Sequence, residues 1–146
     1  MVQASDVLGA GIAKALLGKD AVPDTLPQVT GSIGLLGTEP SQKMIMGCDT
    51  LLMIGTSFPY AEWLPPEGTA RAVQIDIDGS LIGTRYPTEV NLVGDAKDTL
   101  QALLPLLHRK EDRSWREFLE NEVRIYDKVL EDQAQQKADP VNPQLV

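Results

Sequence analysis

The sequence predicts a three-layer α/β domain built on a mostly parallel sheet, and three observations carry that expectation. Short, nearly continuous apolar runs at Thr50-Leu51-Leu52-Met53-Ile54-Gly55, Ala72-Val73-Gln74-Ile75-Asp76-Ile77 and Val90-Asn91-Leu92-Val93-Gly94-Asp95 read as strands buried on both faces. Loops and helical segments separate these runs, as they do where helices cover a parallel sheet. Helical spacing of apolar residues returns at 96–107 and at about 114–134.

Taken in order, residues 2–8 (VQASDVL) read as the last turns of a helix. Residues 11–17 (GIAKALL) stay ambiguous. Ala, Lys and Leu favour helix, while the short run between Gly9, Gly11 and Gly18 also suits a buried strand. Residues 18–37 are rich in Gly and Pro and carry Asp24-Thr25, which predicts a long connecting loop. Residues 39–47 predict a short helix with Ser41 as its candidate cap and Met44, Ile45 and Met46 apolar. Residues 56–70, with Pro59, Pro65 and Pro66, predict a second loop.

The helix at 96–107 places Leu100, Leu103, Leu104 and Leu107 together, and Pro105 marks its last turn. The following helix opens on a capping box, Ser114 with Glu117. Trp115, Phe118, Leu119, Val123, Tyr126, Val129 and Leu130 form one apolar face on it, which must pack on this domain or on a neighbour. The tail KADPVNPQLV carries two prolines and reads as the start of an interdomain linker.

Composition narrows the function classes. A chain of 146 residues suits one domain, and a domain of that size buries roughly 70% of the surface its unfolded chain exposes. The net charge of −8 argues against a nucleic-acid backbone or an anionic membrane surface as partner, since both need clustered Lys and Arg. Cys48 is the single cysteine, so no intramolecular disulfide forms, which fits a reducing compartment. No apolar run approaches the roughly 20 residues of a membrane span. The start MVQASDVLGAG lacks the basic and long apolar regions of a signal peptide. Cytoplasm is the expected location.

Ligands of open parallel sheets sit beyond the carboxyl ends of the strands. The residues there are Gly55-Thr56-Ser57-Phe58-Pro59-Tyr60, Asp76-Ile77-Asp78-Gly79-Ser80, and Gly94-Asp95. Glycines let a ligand approach the backbone, carboxylates such as Asp76 and Asp78 accept ribose hydroxyls, and the N–H groups of Gly79 and Ser80 can hold an anion. Small and acidic residues after strands also form ordinary turns and caps, so spacing alone leaves both readings open. The run Thr30-Gly31-Ser32-Ile33-Gly34-Leu35-Leu36-Gly37 has glycines spaced to wrap a diphosphate through backbone N–H groups, or it is a surface loop.

Two motifs fail their own context. Gly9-Ala10-Gly11-Ile12-Ala13-Lys14 starts like a dinucleotide fingerprint, but no complete strand precedes it and Lys14 replaces the third small residue. Asp78-Gly79-Ser80 resembles part of a thiamine-diphosphate motif, but Ile77 precedes the Asp and Asn91 follows too early. His108, the single histidine, precedes Arg109-Lys110 at a helix end and reads as a surface residue, and Cys48 reads as packing. One His and one Cys make no zinc site, and there is neither a nucleophile elbow nor a P-loop. No catalytic residue and no metal ligand is assigned.

With these segments in hand, the stretch from Leu8 to Leu107 resembles the middle domain of the pyruvate oxidase, pyruvate:quinone dehydrogenase and acetolactate synthase family of thiamine-diphosphate enzymes. The carrying segments are ALLGKDAVPDTLPQVTGSIGLLGT (15–38), CDTLLMIGTSFPY (48–60), AVQIDIDGSLIG (72–83) and VNLVGDAKDTLQALLPLL (90–107). The combination is specific, although no single piece is. The Thr56–Tyr60 segment is similar to the oxidase and quinone-linked branch.

The resemblance implies a Rossmann-like fold of the kind that holds FAD or NAD. It implies FAD bound mainly through its ADP half, with contacts from Thr30, Gly31, Ser32 and Ile33, from Thr56, Ser57, Phe58, Pro59 and Tyr60, and from Asp76, Ile77, Asp78, Gly79, Ser80 and Leu81. Gly94 and Asp95 are weaker additions. Some relatives use this fold for ADP or for nothing. Thiamine diphosphate and Mg belong to an N-terminal domain, which supplies a glutamate, and to a C-terminal domain. Those two domains and further copies of the chain are the implied partners.

The family's middle domain also opens with a central strand and most of a helix ahead of Leu8, so the sequence reads as a piece whose sheet lacks a strand, leaving a gap or an exposed edge. The expected division is a cofactor-binding-like unit over 1–109, a helix over 110–136 and a linker over 137–146.

Overall fold

The computed structural model describes residues 1–139 and 141–145. Its strands all run parallel and fall into a two-stranded and a three-stranded sheet. The α/β class with a long C-terminal helix read from the sequence is the one observed.

Helix α1 (Val2–Leu8) stops at Gly9, whose φ of 64° is the left-handed conformation that ends helices. The ambiguous segment resolves as strand β1 (Ile12–Lys14) followed by a single 3-10 turn at Leu16–Gly18. Tertiary packing decides this against helix propensity. A Cβ at Gly11 would overlap the Met44 sulfur and stand 2.7 Å from Leu119 Cδ1, so the backbone here runs directly beneath two later helices.

The predicted loop 18–37 is corrected in one respect. It contains strand β2 (Val29–Ser32), parallel to β1. Val29-Thr30-Gly31-Ser32 is short and broken by a glycine, so hydrophobic periodicity carries no signal for it. The Lys14 side chain, 3% exposed, instead organises this region. Its Nζ donates to Lys19 O at 2.7 Å and Val22 O at 3.1 Å and pairs with Asp24 at 2.6 Å.

Helix α2 (Glu39–Gly47) has the predicted span but not the predicted cap. Thr38 is the N-cap, its Oγ1 accepting from Ser41 N, while Ser41 is fully buried and bonds Thr30 Oγ1 at 2.8 Å. Strands β3 (Thr50–Ile54), β4 (Arg71–Asp76) and β5 (Val90–Val93) form the three-stranded sheet with β4 central and in continuous register. Helix α3 (Ala96–Leu103) is capped by Asp95 and gives way to a 3-10 turn around Pro105.

Helix α4 (Ser114–Ala134) matches the predicted 21 residues, but Ser114 is its first helical residue rather than its cap. The predicted capping box is absent, and Asp112 Oδ1 instead accepts from Ser114 N at 2.9 Å. Leu119, 0% exposed, joins Met44, Ile45, Leu51, Met53, Leu64, Ala72 and Tyr86 in the main core, with Trp115 packed against it. Lys43 of α2 pairs with Glu122 of α4 at 2.6 Å. Phe118, Val129 and Leu130 of the predicted apolar face stay exposed. A smaller core of Ile12, Val22 and Val29 lies at the first sheet.

Candidate functional site

Because β3, β4 and β5 are parallel neighbours, their carboxyl ends lie at the same end of the sheet. Backbone bonds knit the exits together, with Gly55 N donating to Ile75 O at 2.8 Å and Gly94 N to Asp76 O at 2.9 Å. Gly55 turns with φ 57°, and no atom lies within 4 Å of where its Cβ would stand, so a ligand can approach that backbone.

The loop after β2 reaches the same exits. Phe58 Cζ lies 3.2 Å from the position a Cβ would take on Gly34, whose φ is 106°. Phe58 in turn meets Tyr60 edge-on at 5.5 Å. On the far side, Val93 covers Gly79. Leu35, Leu36, Tyr60, Ile77 and Val93 are all more than half exposed. Thus the Gly34–Leu36 tip, 56–60, 76–81 and 93–95 gather at one end of the sheet, linked by the Phe58–Gly34 and Val93–Gly79 contacts.

The predicted site residues divide by what already holds them. Thr30 turns its hydroxyl into the core, toward Ile12 O and Ser41, and its carbonyl accepts from Thr38 Oγ1. Gly31 and Ser32 sit in the β1–β2 ladder, Ile33 N donates to Lys14 O, and Gly37 N donates to Gly34 O. The glycine run therefore leaves the buried Gly34 and the exposed Leu35-Leu36 at its tip as candidate anion donors. Thr56 Oγ1 accepts from Phe58 N at 3.3 Å, and Ser57 and Pro59 are exposed.

The three acids all serve local structure. Asp76, buried, accepts from Asp78 N at 3.0 Å, and Asp95 accepts from Lys97 N and Asp98 N at the start of α3. Asp78 Oδ1 accepts from the Ser80 hydroxyl at 2.7 Å and Ser80 N at 2.9 Å. The Ser80 hydroxyl, then the Ser80 N–H, hold the Asp78 carboxyl below the usual carboxylate range. Among the described residues, the donors to Asp78 use only this one oxygen, which leaves Oδ2 for a ligand hydroxyl.

Sequence reasoning missed the residue beneath this turn. Gln74, 2% exposed, donates through Nε2 to Leu81 O at 3.3 Å and accepts from Gly83 N at 2.9 Å, clamping 79–83 to the sheet. A glutamine inside an apolar strand is its only signal, because such a group needs partners for both ends of its amide.

Two cavities lie elsewhere. One of about 280 Å³ is lined by Met46, Leu64, Pro65, Arg85 and Tyr86, and one of about 330 Å³ by Asp24, Leu26, Glu120, Val123 and Arg124. Burial, then the neighbouring Asp49 carboxylate, raises the Cys48 thiol above its ordinary value. Among the described residues no cluster of His, Cys, Asp and Glu suits a metal, and no helix is long and apolar enough to cross a membrane.

The family model for the thiamine pyrophosphate enzyme central domain matches residues 1–103. The chain belongs to that family. The chain is 34% identical over all 146 of its residues to YdaP of Bacillus subtilis (strain 168), which its name calls a putative thiamine pyrophosphate-containing protein, and it covers 25% of that protein. It is 29% identical over 114 residues to the pyruvate oxidase of Lactiplantibacillus plantarum, covering 77% of this chain and 19% of that one. It is 28% identical over 116 residues to the acetolactate synthase large subunit of Haemophilus influenzae, covering 75% of this chain and 20% of the relative. The chain thus spans a quarter or less of the length of these relatives. They differ in the activities they are named for, so the family alone does not choose between oxidase and synthase.

Proposed function

We propose that this domain holds FAD, mainly through its ADP half, in a thiamine-diphosphate- and Mg-dependent enzyme that decarboxylates a 2-oxo acid, pyruvate, and passes the electrons to an acceptor. The observation that carries the reading is the gathering of loops at the carboxyl ends of β3, β4 and β5, joined by Phe58 to the Gly34 tip. Bound FAD supplies a two-electron acceptor.

The chain's own residues bind and orient. Asp78 Oδ2 takes a ribose hydroxyl and the Ser57 hydroxyl takes a phosphate oxygen. The tip Gly34–Leu36, and Thr56-Ser57 beside the open Gly55 turn, bring backbone N–H groups to the diphosphate, while Gly55 N itself stays bonded to Ile75 O. Leu35, Ile77 and Val93 offer apolar contact to the adenine. The thiamine chemistry belongs to other domains of the parent polypeptide, which is cytoplasmic and a homo-oligomer.

The two separate sheets support one more element of this reading. Among the described residues β1 pairs only with β2, and β3 only with β4. A strand of the parent polypeptide entering between β1 and β3 would join them into one parallel sheet.

A specific observation favours a second reading. Asp76, Asp78 and Asp95 all act as turn or cap formers, which fits a middle domain that binds no nucleotide and organises the oligomer of a thiamine-diphosphate lyase or an acetolactate-synthase-like transferase.

Absorbance in the flavin bands, followed by FAD titration with a thermal-unfolding readout, separates the two. Flavin reading predicts a rise in Tm at micromolar FAD, because a ligand at 100 times its Kd stabilises by about 2.7 kcal/mol, and loss of that rise in Asp78→Ala. Absence of any shift with FAD, ADP or NAD at millimolar concentration selects the second reading.

A further inference from the structure

Asn142 is 9% exposed and lies between the end of α4 and the 3-10 turn Pro143–Leu145. Its Nδ2 donates to Gln133 O at 2.7 Å, Gln136 O at 2.9 Å and Ala134 O at 3.4 Å. Carbonyls at a helix C-terminus lack the partners that the next turn would have supplied, though Gln133 O also accepts from Gln136 N at 3.1 Å. The other end of the same carboxamide acts on the next element. Asn142 Oδ1 accepts from Gln144 N at 3.0 Å, the bond of an N-cap, with Pro143 at the first helical position. Gln144 adds a bond from its Nε2 to Gln133 Oε1 at 3.1 Å.

We propose that Asn142 is a two-sided latch. Its nitrogen closes the C-terminus of α4, its oxygen starts the next turn, and together they fix the path by which the chain leaves the helix. The chemistry selects Asn. A carboxylate of the same shape keeps the acceptor but loses both N–H donors and sets negative charge against carbonyl oxygens, and a serine has neither the reach nor two donors. The latch is independent of any cofactor and rests on these bonds alone.

The segment between Gln136 and Asn142 contains Lys137, exposed to trypsin. Cleavage needs the chain locally extended, so it follows opening of the latch. The test is trypsin digestion of the 146-residue chain, with release of the 138–146 peptide followed by mass spectrometry. Asn142→Ala and Asn142→Asp should both release it at least about tenfold faster than the unaltered chain, with cleavage after Arg109 and Lys110 unchanged. Amide exchange at Gln144 separates the two halves: protection falls in Asn142→Ala, which lacks the acceptor, and persists in Asn142→Asp, which keeps it. Release of the peptide at the original rate in either variant overturns the latch, as does equal acceleration at every site.

Discussion

The two sheets of this domain are held by different means. In β3–β4–β5 the apolar pattern does the work: Leu51, Met53, Ala72 and Ile75 are buried, and Ile75 is 0% exposed on the central strand. In β1–β2 the strands have three and four residues, and polar side chains tie them to the surrounding backbone. Lys14 gathers Lys19, Val22 and Asp24, Thr30 bonds Ile12 O and Ser41, and Thr38 reaches back to Thr30 O. One sheet depends on buried volume, which many apolar residues can supply. The other depends on individual donors, which have few substitutes.

Substitutions that keep volume and remove polarity, or the reverse, sharpen this contrast. The largest effect is expected at Ile75→Ala, which should cost about 2–5 kcal/mol in urea unfolding, with Ile75→Val at about 0.5–1.5 kcal/mol. Lys14→Met keeps most of the buried stem but removes the donors to two carbonyls, and should cost about 1–3 kcal/mol. It should also speed amide exchange in the 15–24 segment. A neutral Lys14→Met would place both sheets in the same class and erase the distinction.

Thr38→Ala removes the N-cap of α2, for a loss of about 1 kcal/mol. The smallest effect is at Asp78. Its carboxyl is held low by the Ser80 hydroxyl and N–H, so its contribution is full above the ordinary carboxylate range and is lost as pH falls through the lowered folded value. Ser80→Ala should move the Asp78 titration seen by NMR upward, toward that ordinary range. An unchanged titration would mean that the turn is not what sets it.

The same contrast explains what was legible. Although the expected burial on both faces fails at β5, where Val90, Asn91 and Val93 are exposed, the apolar runs at 50–55, 72–77 and 90–95 announce strands by their continuous apolar composition. β2 does not, because Thr30 and Ser32 are polar and Gly31 interrupts, and its place is set by contacts far along the chain with Ile12, Ser41 and Thr38. Capping residues misled for a related reason. Ser41 and Ser114 suit a cap by type, but the cap of α2 is Thr38 and α4 starts without a side-chain cap, a choice fixed by where the preceding backbone turns. At the candidate site, the strand-end residues could be read by topology alone. Gln74 could not, because its role depends on the turn folding back over the sheet.

The cradle at the strand exits is most directly tested by adding ADP to the isotope-labelled chain and following backbone amide signals. Nucleotide binding at this face predicts shifts confined to Gly34–Leu36, Gly55–Ser57 and Ile77–Ser80. Shifts that instead gather at Met46, Leu64 and Arg85, or at Leu26, Val123 and Arg124, would contradict it, as would a spectrum unchanged at millimolar ADP.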